Sequence, residues 1–283
     1  MRFFRRLATL AALPFIMHNF STAWAAETKH DIEYGRIGDI SLQMDSHIPE
    51  GKGPFPAIIL VHGGAWVRGD REWNVQPLFR PLEDAKFAWF SISYRLANDI
   101  MTFGSAVQDV QTAVRFVRSH AGEFNIDPSR IALVGESAGA QLASMAALSA
   151  GPEEKVNAVV ALYSPADLVA LARSSPMVPE GIRRAIEGSP LAPFIEARLR
   201  DLSPIEHVSK SMPPFLLIHG TADTVVPYQQ SEAFCDRVHK AGGSCELFTV
   251  KGGGHGVWSW QRSEKGTAYA REMVDWLKNK LAA

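Results

Sequence analysis

The sequence predicts an α/β fold, in which a mostly parallel sheet carries helices on both of its faces. Short apolar runs are continuous rather than alternating, which is typical of strands buried on both faces of a parallel sheet. Longer segments with helical periodicity separate these runs, and such alternation produces βαβ units with right-handed crossovers. The apolar runs cover residues 57–61, 88–92, 131–134, 156–163, 215–218 and 245–250.

An antiparallel pair is predicted at one edge of this sheet, over residues 32–34 and 40–47. Helices are predicted where apolar residues recur at spacings of three and four. One covers residues 104–122, where the recurring residues are Val107, Val110, Val114 and Val117. The other predicted helices cover residues 138–150, 229–241 and 268–281.

Residues 165–214 interrupt the regular alternation of strands and helices. This segment holds eight of the 17 prolines, with short helical pieces over residues 181–187 and 194–202. Proline ends or kinks helices, and an insertion of this length between two strands is uncommon unless it is functional. We interpret it as a small cap or lid over the strand ends, within a single α/β domain that covers residues 26–283.

The composition is that of an ordinary globular protein. The chain has 283 residues, of which 46% are hydrophobic and 21% are charged, and its formal net charge is −1. These values exclude disordered, collagen-like and coiled-coil proteins. The chain has no cluster of lysine and arginine of the kind that binds phosphates, so no nucleic-acid partner is expected.

The first 25 residues have the features of a signal peptide. Arg2, Arg5 and Arg6 precede an apolar region over residues 7–17, and small residues surround a cleavage point that we place after Ala25. The apolar region falls short of the roughly 20 residues that span a bilayer, and no other segment is long enough. We expect a mature protein without a membrane span, exported to the periplasm or secreted. A buried amphipathic N-terminal helix is the alternative.

A nucleophile elbow is predicted at Gly135-Glu136-Ser137-Ala138-Gly139, between the strand over residues 131–134 and the next helix. A serine on such a turn has strained backbone angles, and small residues on either side let the strand and the helix pass closely. Ser137 is the predicted nucleophile. The N-terminus of the following helix favours negative charge where an oxyanion would form. Taken alone, the pattern also fits a glycine-rich turn with a capping serine.

His62-Gly63-Gly64-Ala65-Trp66 directly follows the strand over residues 57–61. A loop of this type contributes backbone N–H groups to an oxyanion hole. We assign the hole to the N–H groups of Gly64, Ala65 and Ala138. A tight turn without catalytic function is the alternative for this loop alone.

A serine nucleophile needs a general base and an acid that orients it. Of the nine histidines, His255 lies in a glycine-rich loop after the last strand, and we predict it as the base. His219 competes, but its place at a strand end favours a packed, hydrogen-bonded role. Asp223 is the predicted acid, because the chain order Ser137, Asp223, His255 is that of α/β-hydrolases. Asp167 is the alternative acid, although its position also suits a helix cap.

The two cysteines, Cys235 and Cys245, are expected on a helix and on the next strand with their thiols pointing apart. Export makes a disulfide chemically possible, so the sequence leaves it open whether the two cysteines are bridged, although this placement favours separate thiols. The cysteines and histidines lack the close spacing of metal ligands, so no metal site is predicted.

Together these motifs resemble a known family over nearly all of the mature sequence. The chain is similar to α/β-hydrolase esterases related to hormone-sensitive lipase, and within them to the bifunctional feruloyl and acetyl-xylan esterase branch. Ala65 and Ala140 depart from frequent glycines of the family, which leaves the acyl group open. The motifs that carry the resemblance are His62 to Trp66, Ser93-Tyr-Arg-Leu96, Asp127-Pro-Ser-Arg130, Gly135 to Gly139, and His219-Gly-Thr-Ala-Asp223 with Val226-Pro227.

The resemblance implies a serine carboxylesterase that acts on short-acyl esters of small molecules or polysaccharides and needs no cofactor. Trp66, Trp258 and Trp260 are expected to line the mouth of the site, because indole faces suit sugar rings or aromatic acyl groups. An ordinary core position is the alternative for each of them. The alternative is an amidase or peptidase of the prolyl-oligopeptidase-like or formamidase-like type on the same fold. A non-catalytic binding protein is disfavoured because all three triad residues are present. The sequence leaves the oligomeric state open.

Overall fold

Eight strands form one sheet in the computed structural model, which describes residues 25–97, 102–175, 180–260 and 267–282. The strands are β1 (Glu27–Ile37), β2 (Ile40–Ile48), β3 (Phe55–Val61), β4 (Ala88–Ile92), β5 (Ile126–Glu136), β6 (Ala158–Leu162), β7 (Phe215–Gly220) and β8 (Cys245–Val250). Their order across the sheet is β1-β2-β4-β3-β5-β6-β7-β8.

The sheet has an antiparallel edge and a parallel remainder. Strand β2 pairs antiparallel with both β1 and β4, whereas every pairing from β4 to β8 is parallel. The carboxyl ends of the parallel strands are level, since Val61 pairs with Gly135, Glu136 with Leu162, and His219 with Thr249. The predicted fold class and the antiparallel edge are therefore confirmed, and the loops that carry the predicted site residues leave the sheet on the same side.

Helices cover both faces of the sheet. On one face, Ile59 and Val61 of β3 lie in the core beneath the helices Ser105–Ser119, Ala138–Leu148 and Gln229–Lys240. On the other face, Ile58 and Leu60 lie in the core beneath the helices Gln76–Asp84 and Ala268–Lys280. This arrangement explains why the parallel strands are apolar without alternation. The helices are α1 (Gln76–Asp84), α2 (Ser105–Ser119), α3 (Ala138–Leu148), α4 (Leu168–Ser174), α5 (Glu180–Gly188), α6 (Ala192–Asp201), α7 (Gln229–Lys240), α8 (Val257–Trp260) and α9 (Ala268–Lys280).

Helix α1 is not among the predicted elements. Pro77 lies in its first turn and Pro81 in its interior, and an internal proline argues against a helix because it lacks the N–H of the helical ladder. Leu78 and Leu82 are nevertheless buried against the sheet. Packing of this apolar face offsets the hydrogen bond that the helix loses at Pro81.

The segment over residues 165–214 contains α4, α5, α6 and a 3-10 helix at Pro204–His207. Asp167, the alternative catalytic acid, caps α4, because its side chain accepts a hydrogen bond of 2.9 Å from the N–H of Ala170. Gln141 of α3 donates to the carbonyl oxygen of Leu202 at 2.7 Å. This bond ties the end of the segment to the helix that follows Ser137.

Cys235 and Cys245 form a disulfide, so the prediction that their thiols point apart is wrong. Cys235 lies on the buried side of α7, and Cys245 is the first residue of β8. Since α7 packs on this strand, the two Cα atoms are 5.2 Å apart, within the usual range for a bridge.

The predicted signal peptide and its charged start lie outside the described residues, which begin at Ala25. Among the helices that the structure describes, none has the length and apolar character that crossing a membrane requires.

Candidate active site

Ser137 occupies the sharp turn between β5 and α3. Its backbone angles are φ 51° and ψ −120°, a strained conformation for a residue with a side chain. The two glycines of the motif allow the turn: a Cβ atom on Gly135 would lie 2.4 Å from the carbonyl oxygen of Gly139. The predicted strand, turn and helix, and the strain at the serine, are all present.

The three residues predicted as a triad are hydrogen-bonded in series. Ser137 Oγ lies 3.0 Å from His255 Nε2, and His255 Nδ1 lies 2.7 Å from Asp223 Oδ2. Both distances are within the range that proton transfer and orientation of the base require. The serine follows β5, the aspartate follows β7, and the histidine follows β8. The level ends of the parallel strands thus bring together residues that are far apart in the sequence.

Asp223 is held as a carboxylate in a buried position. Its Oδ1 accepts hydrogen bonds from the backbone N–H groups of Val225 at 2.8 Å and Val226 at 2.9 Å. Burial by itself would raise the pKa of Asp223, but hydrogen bonds from His219 and His255 outweigh it and hold the pKa well below its usual range. The group is therefore ionised and able to stabilise a charged His255.

His219 is completely buried, as the sequence analysis predicts, and it is not the residue that reaches Ser137. Its Nδ1 lies 2.7 Å from Ser231 Oγ, and its Nε2 lies 3.0 Å from the carbonyl oxygen of Val226. The same Nε2 lies 3.3 Å from Asp223 Oδ2. His219 is thus packed and hydrogen-bonded, and it also contacts the predicted acid of the triad.

The loop after β3 lies beside Ser137. A Cβ atom on Gly63 would lie 3.3 Å from the Cβ of Ser137. Gly64, Ala65 and Trp66 all have positive φ values, of 124°, 52° and 66°. Within the described parts of the chain, the backbone N–H groups of Gly64, Ala65 and Ala138 donate to no protein acceptor. These donors are available for a ligand.

Glu136 and Tyr163 form hydrogen bonds that connect the loop after β3 with the elbow at Ser137. The sequence analysis does not assign Tyr163 any role. Glu136 Oε1 accepts from the N–H of Gly63 at 3.2 Å, and its Oε2 accepts from the Tyr163 hydroxyl. Burial raises the pKa of Glu136, although these two hydrogen bonds oppose the shift. The rings of Tyr163 and His255 also meet in a T-shaped contact, with ring centroids 4.8 Å apart.

The predicted tryptophans occupy three different environments. Trp66 is half-buried, and its Nε1 donates to Gln141 Oε1 at 2.8 Å. Trp258 is 43% exposed and stacks on Trp73, which is 70% exposed, with ring centroids 6.0 Å apart. Trp260 is fully buried against Tyr163 and Tyr269, so the expectation that it lines the mouth is wrong.

Trp73 is a candidate substrate-binding residue that the sequence analysis missed. It lies in the long loop between β3 and α1, a segment without regular periodicity, so no sequence pattern places it next to Trp258. In the described residues, no group of three or more His, Cys, Asp and Glu side chains is arranged to hold a metal ion.

Comparison with known proteins places the chain among esterases. It is 32% identical over 226 residues to the probable carboxylic ester hydrolase LipM of Mycobacterium tuberculosis, covering 74% of this chain and 51% of LipM. The chain spans about half the length of the curated relatives it matches.

Solved structures match over almost their full length. A truncated carbohydrate esterase from gut microbiota has a TM-score of 0.73 at 27% identity, covering 91% of this chain and 97% of the other. Esterase Est2 of Thermogutta terrifontis has a TM-score of 0.71 at 25% identity, covering 91% of this chain and 92% of Est2. Est2 has also been solved with propionate and with butyrate bound.

The family model BD-FAE, for bifunctional feruloyl/acetyl-xylan esterase, matches residues 44–238. This range holds Ser137 and Asp223 but ends before His255. The match covers well over half of the chain, and the relatives and the solved structures agree with it. The chain therefore belongs to the BD-FAE family and has the α/β-hydrolase fold of these esterases.

Proposed function

We propose that this protein is a serine carboxylesterase that hydrolyses short-acyl esters through an acyl-enzyme on Ser137. The observation that carries the proposal is the hydrogen-bonded series from Ser137 Oγ through His255 to Asp223, which lies beside unoccupied backbone donors. A nucleophile, a base and an oriented acid next to such donors are the parts that acyl transfer requires.

In the first step His255 Nε2 takes the proton from Ser137 Oγ as the oxygen attacks the ester carbonyl. Asp223 stabilises the resulting imidazolium, and the N–H groups of Gly64, Ala65 and Ala138 bind the tetrahedral oxyanion. His255 then gives its proton to the leaving alcohol. In the second step His255 takes a proton from water as the water oxygen attacks the acyl-enzyme, and it then gives this proton to Ser137 Oγ as the bond to the acyl group breaks and the acid is released. This chemistry uses no cofactor.

A short acyl group is supported by Est2, which binds propionate and butyrate. An alcohol on a carbohydrate is supported by the structural similarity to a carbohydrate esterase and by the exposed pair of Trp73 and Trp258. Trp258 lies three residues after His255, so this member of the pair is close along the chain to the proposed base. We place a sugar ring of the substrate on these indoles and the acyl group near Trp66.

We also propose that the protein is exported after cleavage behind Ala25 and that residues 165–214 act as a cap. The Cys235–Cys245 disulfide supports export, because disulfides form and persist in oxidising compartments such as the periplasm. The hydrogen bond from Gln141 to Leu202 supports a cap that is tied to the helix after Ser137.

The test is hydrolysis of p-nitrophenyl acetate, butyrate and octanoate by the purified protein and by its Ser137→Ala variant. Acetylated xylan and methyl ferulate are assayed in parallel, together with p-nitroacetanilide as the amide counterpart. We expect acetate or butyrate to be cleaved fastest, acetate to be released from xylan, and the variant to be inactive. Preference for the anilide would favour the amidase alternative, and turnover by the variant would refute the assignment of Ser137.

A further inference from the structure

We propose that His219 is a positioning residue for the reaction, which donates a second imidazole N–H to the carboxylate of Asp223. This inference rests on the proposed roles of Ser137, His255 and Asp223. In this view the carboxylate is shared between two imidazoles. One belongs to the base that touches Ser137, and the other is a buried ring that never meets the substrate.

The geometry of His219 defines which of its nitrogens carries the proton. Its Nε2 faces two oxygen acceptors, Asp223 Oδ2 at 3.3 Å and the carbonyl oxygen of Val226 at 3.0 Å. A nitrogen between two acceptors must be the donor. Nδ1 lies 2.7 Å from Ser231 Oγ, whose hydroxyl is able to donate to it. A neutral ring with its proton on Nε2 satisfies every one of these contacts.

His219 completes the hydrogen bonding of the Asp223 carboxylate. Two backbone N–H groups donate to Oδ1, and the two imidazoles face Oδ2. The side chains of both His219 and Asp223 are wholly inaccessible to solvent, so water does not replace a lost donor. Four donors fix the plane of the carboxylate and therefore the direction in which it holds His255 Nδ1.

The shared oxygen also divides the charge of the carboxylate. Part of the negative charge on Oδ2 interacts with the Nε2–H of His219. Less of this charge is therefore available to stabilise the imidazolium of His255. Removing His219 directs this charge to His255 alone and favours its protonated form. The acidic limb of the pH–rate profile should then move to higher pH, while turnover falls because the carboxylate loses its fixed orientation.

The other ionisable groups that contact His219 and His255 lie on separate structural elements. Tyr228, at the start of α7, meets the His219 ring edge to face with centroids 5.6 Å apart. Tyr163, directly after β6, contacts the His255 ring, and its hydroxyl donates to Glu136. Both Glu136 and Tyr163 are present unchanged in any His219 variant, so a shift of the profile in such a variant reports on His219.

The experiment compares His219→Leu, which removes the donor, with His219→Gln, whose side-chain amide restores an N–H at a similar reach. Each is assayed with p-nitrophenyl acetate between pH 5 and 9, and His239→Gln on the outer part of α7 is the control. We expect His219→Leu to lower kcat by about 10- to 100-fold, because the variant loses a hydrogen bond to a charged group. KM should change much less. The midpoint of its acidic limb should rise, and His219→Gln should recover most of both effects.

Equal losses in the leucine and glutamine variants without a shift of the acidic limb would overturn the proposal and leave His219 a packing residue. If His219→Leu does not fold, His219→Asn serves instead, because its shorter amide corresponds in position to Nδ1 and does not reach Asp223. That variant should lower kcat and shift the limb in the same direction, and an unchanged profile would equally overturn the proposal. Failure of the wild-type protein to cleave any ester would refute the proposed function itself, so the two failures are distinguishable.

Discussion

The backbone of Gly139 lies directly against the backbone of Val61. A Cβ atom on Gly139 would be 2.2 Å from the carbonyl oxygen of Val61, far inside the distance that any real pair of these atoms shows. This approach joins the first turn of α3 to the end of β3. It therefore sets the distance between Ser137 and the loop that carries the proposed oxyanion donors.

Gly139→Ala should consequently damage both stability and activity. An added methyl group that forces the backbone to shift typically costs about 1–3 kcal/mol of stability. We expect a loss at the upper end of this range in the free energy of unfolding measured with urea. Gly122→Ala is the matched control, because a Cβ there meets no atom within 4 Å and its φ is not positive. A Gly139→Ala protein as stable and active as Gly122→Ala would show that the close approach is not required.

Asp223→Asn should lower kcat by about 10⁴-fold, because an amide stabilises the wrong tautomer of the base and cannot balance the imidazolium charge. Asp167→Asn is the control, since asparagine caps a helix as well as aspartate does and the structure places Asp167 at the start of α4. Steady-state kinetics on p-nitrophenyl acetate distinguish the two. A larger loss for Asp167→Asn would make Asp167 the catalytic acid.

His62 should make the folded protein less stable in mild acid. Burial lowers the pKa of His62 to about 4, whereas a histidine in the unfolded chain titrates near 6.5. Between these values the unfolded state binds a proton that the folded state does not, so stability is lost as the pH falls from 6.5 toward 4. Between pH 7.5 and 5.0 the loss from this group is about 2 kcal/mol.

The measurement is the free energy of unfolding of the wild type and of His62→Asn at both pH values. Asparagine retains a donor for the Gly63 carbonyl oxygen, which lies 2.7 Å from His62 Nδ1, but it does not titrate. The variant should be less stable at pH 7.5, since it loses the stacking of His62 on Tyr94, and it should lose less on acidification. Equal losses in both proteins would show that His62 is not responsible.

Trp73→Ala should weaken the use of carbohydrate-borne esters without a comparable effect on small ones. Loss of one aromatic face that stacks on a sugar ring is worth about 1 kcal/mol, or roughly a fivefold rise in KM for acetylated xylan fragments. Trp73→Phe retains an aromatic face and should lie between the wild type and the alanine variant. If KM for p-nitrophenyl acetate rises as much as KM for the fragments, Trp73 does not select the alcohol.

The fold and the elbow were predictable because each depends on local patterns. Continuous apolar runs marked the bounds of β4 and β8 as observed, and the strand, glycine and helix around Ser137 are contiguous in sequence. His255 and Asp223 were predictable because parallel strands end at one edge, so loops after β7 and β8 reach the loop after β5.

Other features depend on side-chain directions that no sequence pattern specifies. The disulfide requires the buried side of α7 to meet the first residue of β8, and spacing along the chain does not determine this. Trp260 is buried in the core while Trp258, two residues earlier, remains exposed, because residues two apart on the helix α8 point to opposite sides. The contact of Tyr163 with Glu136 and the stacking of Trp73 join separate strands and loops, so only the tertiary structure shows them.

The most direct test of the central claim is covalent trapping of Ser137. A fluorophosphonate should add once per chain, peptide mass mapping should place it on Ser137, and hydrolysis of p-nitrophenyl acetate should fall in proportion to the fraction labelled. The Ser137→Ala variant should take up no label and show no turnover. Labelling at another residue, or full activity in a protein whose Ser137 is fully labelled, would contradict the catalytic role of this serine.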